Sequence, residues 1–168
     1  GERVWISGQF GLSVYYRSTK ELSFIFSGFP DSGSLSSNYF SSVKDYGDGT
    51  LWLGTNGGFY SYNKVSGEHK QYLLANNTVH AIVRDDHGHI WITTSAGLSR
   101  FNPATERIIN FDFDDGIPSV LNINQAMYCS GDGTLFVGGN NGFYTFTPDD
   151  IFKYNTPPPV AVTAVKCD

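Results

Sequence analysis

The chain has 168 residues, 40% hydrophobic and 15% aromatic, which is enough for one folded domain with its own core and argues against disorder. Nineteen glycines without a three-residue period, set among 23 Tyr and Phe, favour many short strands and tight turns, hence an all-β class. A formal charge of −5 with only 11 Lys and Arg, none gathered into a stripe, argues against a nucleic-acid partner, and no apolar run reaches the ~18 to 20 residues of a membrane span.

Four stretches align along the chain. They are Trp5 to Leu12, Trp52 to Phe59, Trp91 to Leu98 and Phe136 to Phe143. Each begins with a large aromatic; Gly11, Gly58, Gly97 or Gly142 follows six positions later, and then a large apolar residue. This is a β-hairpin written four times. Gly49, Gly88 and Gly133, each three residues before an aromatic, predict a tight turn ahead of the strand, and Phe40 to Lys44, Val79 to Arg84 and Asn124 to Cys129 supply a strand before that turn. Phe59 to Tyr62, Leu98 to Phe101 and Phe143 to Phe146 alternate large with small or polar side chains, as half-buried strands do. His69 to Tyr72 and Arg107 to Phe111 complete the second and third repeats. Four antiparallel strands recurring every ~40 residues are the pattern of a β-propeller blade.

The first repeat opens on its second strand at Val4 to Ser7, and the fourth ends after its third, with Ile151 to Tyr154 as the candidate for its last strand. Residues 1–154 are therefore read as about four blades of an incomplete, larger propeller; a closed ring of four is the alternative. Open edges would be covered by the remaining blades of a longer parent chain or by a second copy.

The aromatic headings are 47, 39 and 45 residues apart, and the excess over the shortest repeat falls in the connections between blades. Insertions confined to one class of loop point to a binding face made of Ser27 to Tyr39, Leu73 to Thr78 and Asp112 to Asn124. Asn38, Asn77 and Asn122 recur fourteen residues before a heading. They either close the turn that opens each blade or, with Asn124, offer amide donors and acceptors to a sugar, beside Tyr39 as a stacking face. His80 is the histidine nearest that face. The candidate ligand-binding residues are thus Asn38, Tyr39, Asn77, His80, Asn122 and Asn124.

No catalytic constellation or metal set is expected, and no cofactor. His87 and His89 flank Gly88 where other repeats have Asp-Gly-Thr, so turn chemistry accounts for them. Asp112-Phe-Asp-Asp-Gly116 begins like a calcium loop, but the twelfth position is Ile123 and not Glu. Cys129 and Cys167 allow at most one disulfide and are read as a buried and an exposed thiol. The Trp residues are assigned to the blade core.

Read from Ile82 through Asp85, Gly88, Trp91, Thr94, Gly97, Leu98 and Arg100 to Pro103, the third repeat resembles the two-component regulator propeller repeat. The second agrees through Gly49, Trp52, Gly54, Thr55, Gly58 and Phe59, with Tyr46 in place of the Asp; the fourth has Phe136 for Trp. Residues 155–168, a linker carrying the stiff Pro157-Pro158-Pro159 and then a strand, resemble the start of the immunoglobulin-like Y_Y_Y domain. The resemblance implies a hybrid two-component sensor histidine kinase, anchored in the inner membrane, whose periplasmic propeller detects a carbohydrate or oligosaccharide; no phosphotransfer residues and no membrane segment are expected in this piece. The alternatives are a lyase-type propeller resembling streptogramin lyases, which needs a His and acidic cluster at the channel, and a structural or protein-interaction propeller.

Overall fold

The computed structural model describes residues 2–8, 11–25, 39–111, 126–139 and 142–153, with the side chains of 152 and 153 left aside. Fourteen strands occupy the described residues in four antiparallel sheets. The first sheet is β1 (Arg3–Gly8), β2 (Gly11–Tyr16) and β3 (Glu21–Ile25). The second is β4 (Phe40–Asp45), β5 (Thr50–Thr55), β6 (Gly58–Asn63) and β7 (His69–Tyr72). The third is β8 (Val79–Arg84), β9 (Ile90–Thr94), β10 (Gly97–Asn102) and β11 (Arg107–Phe111). The fourth is β12 (Met127–Cys129), β13 (Leu135–Gly139) and β14 (Gly142–Phe146). Each sheet is ordered as the chain runs, the meander of a propeller blade, so the all-β expectation holds.

The fourth blade differs in one element. Pro148–Lys153, which includes the start of the expected last strand at Ile151, is a helix, α1. Thr147 precedes it, donating from Oγ1 to Asp150 Oδ2 at 2.6 Å and accepting from the Asp150 N–H at 3.0 Å. A capping threonine, proline at the first helical position and two acids in the first turn all favour a helix start, and they override a short apolar run.

The turns need their glycines. Gly49, Gly88 and Gly133 take φ of 89°, 84° and 82°, and the hairpin glycines Gly11, Gly58, Gly97 and Gly142 take φ between 116° and 146°. L-residues with a Cβ are disfavoured there, which is why the same residue recurs at these two places in the repeat.

The core lies between the blades. Leu12, Phe40, Leu51, Leu53 and Tyr60 pack between the first and second. Trp52, Phe59, Val79, Ile82, Ile90, Ile92 and Phe101 do so between the second and third, and Ala81, Trp91, Leu98, Phe111, Met127, Leu135 and Val137 between the third and fourth. An inner strand is therefore covered on both faces: every residue of β9 is buried, whereas β3, an outer strand, is exposed for four of its five. One contact sets the stacking. The heading aromatic of each of the first three blades meets, edge to face, an aromatic ten residues past the next heading: Trp5 with Tyr62 at 6.0 Å, Trp52 with Phe101 at 5.4 Å and Trp91 with Phe146 at 5.3 Å between centroids. The assignment of the tryptophans to the blade core holds for Trp52 and Trp91, which are buried, while Trp5 is half-buried and packs against the first core cluster.

Candidate functional site

Strand register divides the turns between two faces. The start of β4 pairs with the end of β5, Phe40 opposite Thr55, and the end of β4 with the start of β5, Asp45 opposite Leu51. The connections between blades therefore emerge beside the β5–β6 and β9–β10 hairpin turns. Two backbone bonds close that face, Asn56 N–H to Tyr39 O and Ser95 N–H to Thr78 O, both at 3.3 Å.

Of the candidate ligand-binding residues, Tyr39, Asn77 and His80 are described, and all three belong to this face. Asn38, Asn122 and Asn124, and most of both long connections with the calcium-like stretch, lie outside the described residues. Tyr39 is half-buried and Asn77 exposed. The turn that opens the third blade is closed by Asn76, whose Oδ1 accepts the Thr78 N–H at 2.8 Å, rather than by Asn77. That leaves the Asn77 amide turned to solvent.

His80 is only 9% exposed. It is the extra residue of a β-bulge, since pairing jumps from Val79 opposite Thr94 to Ala81 opposite Thr93. Ser41 occupies the same place in β4, where pairing jumps from Phe40 to Ser42. The His80 Nε2 lies 3.0 Å from Ser95 Oγ in the adjacent hairpin turn, and Ser41 Oγ donates to Val79 O of the next blade at 2.6 Å. Two successive inner strands are thus bulged at the rim of the loop face and tied together there. Sequence reasoning named His80 but not Ser41 or Ser95; the signal of Ser41, a polar residue at the place His80 takes near the start of an inner strand, is visible only once the bulge is known, and Ser95 is found only through its contact with His80.

The opposite face is built around carboxylates. Asp85 is 4% exposed; its Oδ1 accepts the His89 N–H at 2.8 Å and its Oδ2 the Trp91 indole N–H at 2.7 Å. Asp85, Asp86 and His87 each bring one donor atom within 4.8 Å of the others. Both Asp85 oxygens are already engaged in holding the turn, so a cation bound there would compete with the fold. The histidine–carboxylate pairs among the described residues, His87 with Asp86 at 2.9 Å and His89 with Asp85 at 3.5 Å, lie on this face and not at the rim that holds His80. Tyr46, in the place of Asp85 one blade earlier, carries the Arg84 guanidinium 4.2 Å over its ring, and burial pushes its phenol up to about 12 against the opposing influence of Arg84. Cys129 is partly buried and its thiol is pushed up chiefly by burial, the direction of an unreactive cysteine.

Residues 73–96, which run from the connection into the third blade to its hairpin turn, match the two component regulator propeller family. A protein named Histidine kinase P4, from Formosa agariphila, is 32% identical over 171 residues, covering 96% of this chain and 12% of that protein. Two solved extracellular domains from B. thetaiotaomicron, each described as part of a two component system of the hybrid kind, superpose with a TM-score of 0.69 at 22% and 21% identity. They are matched over 89% and 88% of this chain and 19% and 22% of theirs. Virginiamycin B lyase from Staphylococcus aureus gives a TM-score of 0.64 at 18% identity, over 88% of this chain and 49% of the lyase. At such identities the solved structures speak for the fold alone. The chain spans about an eighth of the length of the kinase it matches. It carries the two-component regulator propeller repeat and builds it into consecutive blades of a β-propeller.

Proposed function

We propose that this chain is part of the sensing propeller of a hybrid two-component sensor histidine kinase and has no catalytic role of its own. The observation that carries the reading is the 32% identity, sustained over 96% of the chain, to a protein named a histidine kinase. The propeller faces the periplasm, the parent is anchored in the inner membrane, and residues 155–168 begin a Y_Y_Y-like module that relays the signal. A carbohydrate, most simply an oligosaccharide, is received on the loop face by Asn38, Tyr39, Asn77, His80, Asn122 and Asn124. Support for that face comes from the exposed Asn77 amide, the bulged rim at Ser41 and His80, and the confinement of the length variation to its loops.

The remaining blades of the parent cover the two open ends. At one end Phe136 is 37%, Tyr128 63% and Phe143 74% exposed, and at the other Ile6 and Leu22 are each 47% and Phe24 59% exposed. These are the surfaces that the inner blades bury against their neighbours. A thermal-shift screen of oligosaccharides against the whole propeller region tests the reading. A concentration-dependent rise in Tm with one glycan class is expected; no rise with any glycan would favour a spacer or protein-binding propeller instead.

A further inference from the structure

The blade stack repeats one arrangement around its tryptophans and departs from it once. In the third blade Arg100 stands directly opposite Trp91 across β9 and β10, with its guanidinium 5.9 Å from the ring centroid. Asp85 holds the indole N–H from the other side. In the second blade both partners are gone. Ser61 stands opposite Trp52, Tyr46 takes the place of the aspartate, and the buried Trp52 Nε1 has no hydrogen-bond partner among the described residues.

Room is the consequence. A cleft of about 480 Å³ opens on the second blade where Pro103 of the third closes over it, lined among others by Asp48, Trp52, Ser61, Glu68, Lys70 and Tyr72. The matching cleft beside Arg100 and Arg107 measures about 260 Å³. The charge differs as well. Glu68 occupies the register place of Arg107, before the first residue of the outer strand's run. Lys70 is neutralised by Glu106 at 2.6 Å, and Asp48 is 3.4 Å from Arg84. The Glu68 carboxylate makes no ion pair among the described residues and accepts there only the Ser66 hydroxyl, at 3.0 Å. The Ser61 and Tyr72 hydroxyls, 3.3 Å apart, line the wall. Cations already settle on this wall, since Lys70 Nζ lies 5.4 Å from the Tyr72 centroid.

We propose that this cleft is a binding site for an alkylguanidinium cation, whose planar group takes the space that Arg100 fills one blade further on. Glu68 supplies the counter-charge, Ser61 and Tyr72 accept the guanidinium N–H groups, and the alkyl arm lies along the edge of Trp52. A guanidinium suits the site because it is weakly hydrated, delocalised and able to lie against an aromatic while donating in its own plane.

The test is a titration of the whole propeller region with butylguanidinium chloride, with N-butylurea as the neutral analogue of the same shape, followed through the indole N–H signals in ¹H–¹⁵N spectra, those of Trp52 and Trp91 assigned by Trp→Phe replacement. Butylguanidinium is expected to shift the Trp52 signal saturably and leave that of Trp91 in place; butylurea should shift neither. Ser61→Arg fills the cleft from within and should abolish the shift, and Glu68→Gln, a surface change that keeps the test decisive if Ser61→Arg does not fold, should weaken binding several-fold. Equal shifts by the two compounds, no saturation, or unchanged binding in the folded Glu68→Gln protein would each overturn the proposal.

Discussion

A single buried carboxylate organises the turn of the third blade, and its neighbours in the repeat vary in step with it. Asp85 accepts from a backbone N–H and from the Trp91 indole, so its charge is fully engaged within the sheet. In the fourth blade Ser130 stands at the same place; its hydroxyl donates to Thr134 O at 2.8 Å, and the heading residue is Phe136, which has no N–H to satisfy. Replacing Asp85 by Ala strands the buried Trp91 indole N–H and the part-buried His89 N–H and should lower stability by on the order of 3 kcal/mol in urea unfolding, with Asp85→Asn costing about half of that because one acceptor oxygen survives. Tyr144 presents the reverse case. Its hydroxyl is buried without a partner among the described residues, and burial alone pushes its phenol above the ordinary tyrosine range. The folded chain keeps this proton at pH values where the unfolded chain loses it. The stability that follows is present below a pKa of ~10 and drains away as pH rises beyond it. Tyr144→Phe should therefore flatten the alkaline fall in Tm while leaving stability at pH 7 equal or slightly higher, as a pH series of thermal melts would read.

Elements were legible where glycine and apolar spacing agree. Val79–Arg84, His69–Tyr72 and Arg107–Phe111 fall where the repeat predicts them, because a positive-φ turn residue lies beside each: Gly88 after the first, Gly67 before the second and Glu106 before the third. The last element of the fourth blade was misread because an apolar pair at Ile151 and Phe152 weighed more than the Thr-Pro-Asp-Asp start before it, which caps a helix. The bulges at Ser41 and His80 leave no mark in a hydrophobicity pattern, since they depend on pairing with a partner strand. Gly54 is a different kind of glycine. A Cβ there would sit 2.5 Å from Val79 Cγ1 and 3.2 Å from Ile82 Cδ1 of the next blade, so its absence sets how closely β5 and β8 approach. Gly54→Ala should cost about 1 to 3 kcal/mol by overpacking this seam. Gly8→Ala, where a Cβ meets nothing within 4 Å, should change stability far less, and the pair can be compared in one set of chemical melts.

At the scale of the whole molecule, the blades bury their cores against one another and leave two unlike faces. One carries the inter-blade connections, Tyr39, the exposed Asn77 and the bulged rim; the other carries turns held by Asp85, Asp48 and Asp132. The repeat made the architecture readable from sequence, and with it which loops share a face, because periodic aromatics and confined insertions are properties of one chain read in order. The cleft at Trp52 was not readable, since it arises from what Tyr46 and Ser61 fail to supply to a residue across the sheet. The central claim, that the loop face receives the signal, is tested most directly by amide hydrogen exchange of the whole propeller region with and without the glycan that raises its Tm. Slowed exchange confined to residues 73–80 and 94–97 and the equivalent loops is the predicted result. Protection centred instead on the 45–50 and 84–89 turns would contradict the account.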